Sequence, residues 1–380
     1  MAMIGGPSFV LDAKAKATNV KNALVSAAWL PKGETSYALF NRMIERATDF
    51  SWLHKGDTVL VKLAANSGNP YPATSDPWAL DCLLKVLKEH GAGKIYVGDQ
   101  SGERYVHWTR EKKTGSTRAQ FLATGLQAVI DKNGATPIYF EERGYDSYLE
   151  VYPAGKHHWK EPLHITSFVN EVDHIVYLPR LSSHALADMT GAMKIGVGFL
   201  REDSRRAFHS GGENFYAMYQ EINEVPAIKS KLRLAVTSGR SVQSLVGPDV
   251  GYLVDPDYGP VFASENLLAQ DIFAYAFLQY ARTNWTPKEA SDPKLGNLWV
   301  ATTSRTKRNR GFLKLVWDVP EEQVPELPVF HPDQPGEIYK HPAIVNYVRL
   351  NPENVKFSVV EVNKNPDATV RGYMRREVKV

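Results

Sequence analysis

Five side chains stand where apolar runs end, and they are the types that hold anions and move protons. Lys62 breaks the apolar run Thr58–Leu63, and Asp99 closes the run Ile95–Val97 after Gly98. An ammonium in such a setting needs a partner, so Lys62 either pairs with Asp99 or faces a ligand anion. Asn66 follows in the loop after Lys62. His184 lies among Ser182, Ser183 and Asp188. Its ordinary pKa suits acid or base work, and a helix here would put Asp188 one turn along, able to orient the imidazole. A capping histidine is the alternative.

The stretch Thr190-Gly191-Ala192-Met193-Lys194 joins small residues to an ammonium. Closely approached main-chain N–H groups beside a lysine suit a carboxylate or a phosphate. The pattern is neither a Walker loop nor a dinucleotide fingerprint. Arg180, just after a strand, adds a two-pronged clamp for the same anion. Asp271 sits inside an apolar helix, where it is a site residue or a buried partner of the lysines. A divalent metal (nickel, iron or zinc) on Asp99 and His184 is a second use of the same groups. The adjacent His157 and His158 invite a metal reading too, against a surface or interface role, and no HxxxH-type spacing accompanies them.

The elements that must position these residues alternate strand and helix. Thr58–Gly102 reads as strand, loop, helix and strand, with Asp76-Pro77 opening the helix and Leu80, Leu83, Leu84 and Leu87 as its buried stripe. Further helices are expected over Tyr37–Phe50, Thr117–Lys132, Asn214–Glu224 and Glu265–Tyr280. Strands are expected at Pro137–Phe140, His174–Leu178, Leu232–Val236 (followed by a turn at Ser238-Gly239) and Val261–Ala263. After Asp99, a helix aligning Asp99, Glu103 and His107 competes with a solvated loop. The expected fold is α/β, a three-layer, mainly parallel sheet core with a small α+β C-terminal appendage. His184 and Asp99 then meet at the carboxyl edge of the sheet. The expected layout is a lead-in over 1–54, a core over 55–283 with an insertion at 145–164, and an appendage over 284–380. In the appendage, Asn297–Thr302 and Leu313–Trp317 pair around the basic turn Arg305–Arg310. Pro320–Pro342 is loop, and Phe357–Val362 and Thr369–Tyr373 are strands.

Composition narrows the function classes. With 380 residues the chain can bury a large core, and its net charge of +3 from 45 basic and 42 acidic residues speaks against a dedicated nucleic-acid protein. Cys82 is the only cysteine, so no cysteine-ligated iron–sulfur cluster and no disulfide framework is expected. No apolar run reaches membrane-spanning length, so no membrane partner is expected. Lys14, Lys16, Asn19 and Lys21 interrupt any signal-peptide core, so the expected location is cytoplasmic.

The blocks VLVK (59–62) with ATSDP (73–77), KIYVGD (94–99), LPRLSSHALADMTGAMKIGVG (178–198) and VFASENLLAQDIFAYAF (261–277) resemble, in this order, the family known by the label DUF362. That family has no agreed chemistry. Its usual asparagine soon after the first lysine is delayed here to Asn66, and Ser182, Ile195 and Thr237 replace other polar residues of its pattern. A second resemblance is to nickel-pincer lactate racemases. His184, nine intervening residues and Lys194 within TGAMKIGVG are similar to their cofactor-holding segment. That likeness implies Lys194 at the place of the cofactor-anchoring lysine, His184 beside the metal, and His209 as a further nickel ligand.

The leading expectation is a proton-transfer enzyme of racemase, isomerase or lyase type acting on a small anionic hydroxy or oxo acid. Lys62, Arg180 and Lys194 neutralise the anion, His184 serves as acid or base, and Asp99 or Asp188 orients it. The alternatives are a metal- or cofactor-dependent oxidoreductase, in which His157 and His158 could join, and a non-enzymatic carrier of a ligand or cofactor. A homo-oligomer or a separate redox partner is left open.

Overall fold

The computed structural model describes residues 23–184, 186–249, 251–283 and 337–378. β1 (Ala23–Pro31) and α1 (Tyr37–Ala47) lead into β2 (Thr58–Leu63), α2 (Pro77–Glu89) and β3 (Lys94–Asp99). Past β3 the chain takes the loop of the two alternatives. It then forms a small ribbon, β4 (Val106–Trp108) with β5 (Lys113–Gly115). The single helix expected over Thr117–Lys132 is two, α3 (Thr117–Ala123) and α4 (Leu126–Lys132), because Gly125 between them turns left-handed at φ 77°.

After β6 (Thr136–Tyr139), the insertion is a hairpin of β7 (Tyr148–Val151) and β8 (Leu163–Thr166). β9 (His174–Leu178) ends at Pro179, and β10 (Arg180–His184) turns back into β11 (Asp188–Thr190). His184 and Asp188 therefore face each other across a hairpin, not along a helix. α5 (Glu202–His209), α6 (Phe215–Glu221) and α7 (Pro226–Lys229) lead to β12 (Leu232–Val246), β13 (Gly251–Val254), β14 (Tyr258–Ser264) and α8 (Leu267–Thr283). β12 runs straight through Ser238-Gly239, where a turn was expected. A Cβ at Gly239 would lie 3.1 Å from Pro260 Cγ, so the glycine lets β14 pass close by.

α9 (Pro342–Leu350), β15 (Phe357–Glu361) and α10 (Ala368–Val378) complete the described chain. The expected strand at Thr369–Tyr373 is instead the start of α10. Asp367 caps it through the N–H groups of Thr369 (2.7 Å) and Val370 (3.4 Å), and Val370, Met374 and Val378 recur at helical spacing on its buried face. Pro342 opens a helix where loop was expected. The hairpin and basic turn expected between 297 and 317 lie outside the described residues.

The main sheet has 11 strands, with the order β15-β1-β14-β12-β9-β2-β3-β6, β10 and β13 attached at β12, and β11 paired to β10. Pairing is parallel from β12 through β9, β2 and β3 to β6, and antiparallel where β14 joins β12 and β1. β15 returns from the C-terminal part to pair in parallel with β1. Asn363 secures that join by accepting from Trp29 N–H (2.9 Å) and donating to Trp29 C=O (2.8 Å).

Alternation along the strands separates two apolar layers. Val59, Val61, Leu63, Val176, Leu178, Leu234 and Val236 pack against α1, α2, α3 and α4. Leu60, Ile175, Tyr177 and Ala235 face α5, α6 and α8 on the other side. The core is thus a mixed, mostly parallel α/β sheet with helices on both faces and a smaller C-terminal helical region. Lys62 shares the parity of Leu60, so it points toward the layer that holds α5.

Asp76 shows how a loop is pinned to the sheet. It caps α2 at Trp78 N–H (2.9 Å), accepts from Ser238 Oγ (2.8 Å), and takes a two-pronged contact from Arg240. Asp76→Ala is expected to lower unfolding free energy by about 2–4 kcal/mol through the lost cap and the stranded arginine. Asp76→Asn, which keeps the capping oxygen, should cost less. Urea denaturation of both variants checks this, and equal losses would mean that capping contributes nothing.

Candidate functional site

Lys62 Nζ donates to Asp99 Oδ1 at 2.6 Å and to Leu63 C=O at 2.7 Å, and both side chains are buried. Burial lowers the Lys62 pKa, and the Asp99 charge pulls it back up. Asp99 also accepts the N–H groups of Ala65 (2.7 Å) and Gln100 (2.8 Å). Gly198 lies directly over this pair, and a Cβ there would collide with both Asp99 Oδ1 and Lys62 Nζ. Arg205 closes the other side through the carbonyls of Leu200 (3.0 Å) and Gln100 (2.8 Å).

Beside this knot opens a cavity of about 130 Å³. It brings together Lys62, Asn66, Asp99, Arg180, His184, Lys194 and His209, contributed by strand ends, loops and α5. Five basic and three acidic side chains line it, so its walls carry excess positive charge. Arg180 is held by the carbonyls of Ala73 and Pro248, while Asn66 Nδ2 donates to Asp249 Oδ1 at 2.5 Å. Burial lowers the Arg180 pKa to about 10, with Asp249 and Asp99 opposing. Burial raises that of Asp249, against the pull of Arg180.

Lys194 differs from its neighbours. Its ammonium has no hydrogen-bonding or ion-pairing partner among the described residues. Burial lowers its pKa to about 7, the nearby Arg180 and Arg205 push the same way, and Asp249 opposes them. Asp271 does not pair with it. The Asp271 carboxylate accepts the N–H groups of Ala192 (2.6 Å) and Met193 (2.8 Å), and burial raises its own pKa to about 7 against those two bonds. Asn223 Nδ2 holds Met193 C=O at 2.7 Å. The chain entering Lys194 is clamped on both sides.

The two lining histidines carry their protons on opposite nitrogens. His184 Nδ1 accepts from Leu186 N–H (3.1 Å) and Ala187 N–H (3.2 Å), which puts the proton on Nε2. His209 Nδ1 lies 2.7 Å from Arg205 C=O, so it donates and leaves the lone pair on Nε2. Burial pushes the His209 pKa well below the usual histidine value, so the ring is neutral. Gln100 adds a further donor, since its Nε2 is buried and unpartnered among the described residues.

A family model described as "Domain of unknown function (DUF362)" matches residues 59–276. The chain belongs to the DUF362 family. No curated protein matches it. Among solved structures, the lactate racemase apoprotein from Thermoanaerobacterium thermosaccharolyticum has 12% sequence identity and a TM-score of 0.40, covering 89% of this chain and 84% of that one. A Thermotoga maritima protein has 12% identity and a TM-score of 0.34, covering 67% of this chain and 60% of that one. Both likenesses are weak.

Not every expected residue of this DUF362 chain reaches the cavity. Asp188 lies behind it, accepting from Tyr275 Oη and paired with Arg282 at 3.4 Å. His158 pairs with Glu221 at 2.6 Å, and His157 stacks on Tyr152. Neither histidine lines the cavity. Arg205, Asp249 and Gln100 were not foreseen. Arg205 stands four residues before His209, one turn away on α5, which is the one local sign of it.

A possible metal place also differs from the expectation on Asp99, His184 and His209. Among the described residues, the ligand atoms that converge within 4.8 Å belong to Glu103, His107 and Glu202. This trio could chelate a metal ion. His107 Nδ1 is 2.7 Å from Glu202 and 3.4 Å from Glu103, and Arg206 reaches Glu103 at 2.9 Å. Burial raises the Glu103 pKa, and Glu202 adds to the effect. Asp99 and Glu103 both line the cavity, so this cluster adjoins it.

Lys194 gives the site a pH signature. Its pKa is about 7 in the fold and ordinarily about 10.4 in an unfolded chain. Between those values the unfolded state holds the extra proton, so stability rises with pH across that window and is lost as pH falls toward 7. In Lys194→Met this contribution is absent. Urea titrations at intervals from pH 7 to 10 should show the wild type gaining on the variant as pH climbs. Parallel curves would mean that Lys194 keeps an ordinary pKa.

Proposed function

We propose that the cavity binds a small anionic hydroxy or oxo acid and moves a proton on it, as a racemase, isomerase or lyase does. One observation carries this reading. Gln100 Nε2 and Arg180 Nε are buried donors without an acceptor among the described residues, half-buried Lys194 has no hydrogen-bonding partner among them either, and all three side chains line one cavity with excess positive charge. Buried donors without acceptors are rare in folded proteins, and a carboxylate supplies the acceptors they lack. The two lining histidines supply the proton path. His184 donates from Nε2, and His209 accepts at Nε2. Asp99 holds Lys62 and the two loops in place, which makes it a positioning residue. Asp271 has the same part under Lys194.

The metal-dependent reading draws support from the trio Glu103, His107 and Glu202. Arg206 stands among these ligands, so a metal ion would have to displace its guanidinium from Glu103. The cavity's unmet donors favour the anion.

Calorimetric titration with lactate, malate, glycolate and their oxo counterparts tests the proposal, alongside NMR detection of solvent deuterium entering the bound acid. At least one acid should bind and exchange a carbon-bound proton. Lys194→Ala should weaken that binding about ten- to a few-hundred-fold, equal to about 1.5–3 kcal/mol for one charge-assisted hydrogen bond. Its melting temperature without ligand should not fall at neutral pH, because the fold holds the Lys194 pKa low. Unaltered binding by Lys194→Ala would remove Lys194 from the site, and a panel in which no acid binds would overturn the proposal.

A further inference from the structure

We infer that Lys194 is a nucleophile that forms an imine with the C2 carbonyl of a 2-oxo acid held in the cavity. This rests on the anion-binding reading above and goes beyond it, since an anion can be bound without any covalent step.

The first ground is the division of labour among four cations that line the cavity. Lys62 is spent on Asp99 and Leu63 C=O, Arg205 on main-chain carbonyls, and Arg180 on the carbonyls of Ala73 and Pro248. Only Lys194, of these four, has no acceptor among the described residues. The second ground is mounting. Asp271 and Asn223 fix the main chain at Ala192 and Met193, and Val197 N–H donates to Lys194 C=O at 3.1 Å as the next turn begins. A Cβ at Gly191 would come within 2.5 Å of Asp271 Oδ1, so this tight clamp requires glycine. Such a base holds the side chain at one entry point while leaving its tip uncommitted. The third ground is the company it keeps. Arg180, Arg205 and Lys62 all disfavour a further positive charge at Lys194, and desolvation beside other cations is the setting that turns a lysine into an amine nucleophile.

The chemistry balances without a further reactant. The acid's carboxylate offsets the lining cations as it enters. The amine lone pair forms the C–N bond to C2, and the carbonyl π pair moves to oxygen, which takes up a proton. The carbinolamine then loses its oxygen as water, so the two amine protons and the carbonyl oxygen leave together as H₂O and a C=N bond remains. Once protonated, that imine draws electrons from the adjacent carbon and acidifies its C–H bonds. His209 Nε2 is the lining base with a lone pair to receive that proton, and His184 Nε2–H is the lining donor for the departing oxygen. A 2-hydroxy acid has no carbonyl at C2 and is bound without this step.

The test is reductive trapping. Wild-type protein is incubated at neutral pH with pyruvate and sodium cyanoborohydride, then analysed by intact mass and peptide mapping, with lactate in place of pyruvate as the control. One reduced pyruvate adduct on Lys194 is expected, forming ahead of any adduct on exposed lysines. It should be absent with lactate and in Lys194→Arg, whose retained fold is checked by its melting curve. An adduct that is missing, or one spread over surface lysines equally in wild type and Lys194→Arg, overturns the inference. Pyruvate titration without reductant separates the two levels. Binding without trapping sinks the imine and leaves the anion site standing, whereas no binding of either acid sinks both.

Discussion

A charged pair shut away from water at the end of two neighbouring strands is the constraint on which this site depends. Taking an ammonium and a carboxylate out of solvent costs several kcal/mol per ion, and only close geometry with further hydrogen bonds offsets it. Lys62 and Asp99 meet that condition because Asp99 also collects the N–H groups of Ala65 and Gln100. The loop leaving β2 and the turn leaving β3 are thereby tied to one carboxylate. Gly198 fits over the pair because it has no side chain, and Arg205 grips the carbonyls around it. The cavity inherits its shape from this knot, and the lysine that completes it arrives from a separate clamp built on Asp271.

Much of the fold was legible in the sequence because its periodicities are clean. Thr58–Leu63 and His174–Leu178 are short β-rich apolar runs, and α2 has a capping aspartate, a proline at its first position and a leucine stripe. The failures have local physical causes. Thr369–Tyr373 has β-branched residues that suggest a strand, yet a capping Asp367 and a buried stripe at four-residue spacing prevail. Ser238-Gly239 resembles a turn, but its glycine answers to the crowding of Pro260 from the adjacent strand. The second reason is tertiary and leaves no mark on neighbouring residues, whereas the Asp367 cap and its stripe stand in the sequence itself.

The site was legible in part for a similar reason. Lys62, Asp99, Arg180, His184 and Lys194 advertise themselves as polar groups at the ends of apolar runs, and one cavity gathers them. The geometry of His184 and Asp188 was not legible, because a spacing of four fits the pair across a three-residue hairpin loop as well as one turn of helix. Gln100 was hidden altogether, since a glutamine after an aspartate suggests surface until Tyr148 Oη is found 2.6 Å from its Oε1 inside the protein. Glu103 and His107 looked like a solvated segment. Glu202, nearly a hundred residues along, is what draws them together.

The pairing of β15 with β1 carries a consequence for the order in which the chain can assemble as it is made. β1 emerges first among the described strands, yet its two neighbours in the sheet, β14 and β15, lie more than two hundred residues further on. The parallel block of β2, β3, β6 and β9 is complete on the ribosome well before either exists. β1 must therefore wait as an apolar strand with both edges unsatisfied, through the synthesis of most of the protein. A nascent chain of this design is exposed to mispairing at its beginning, and it is the last-made part that removes the exposure.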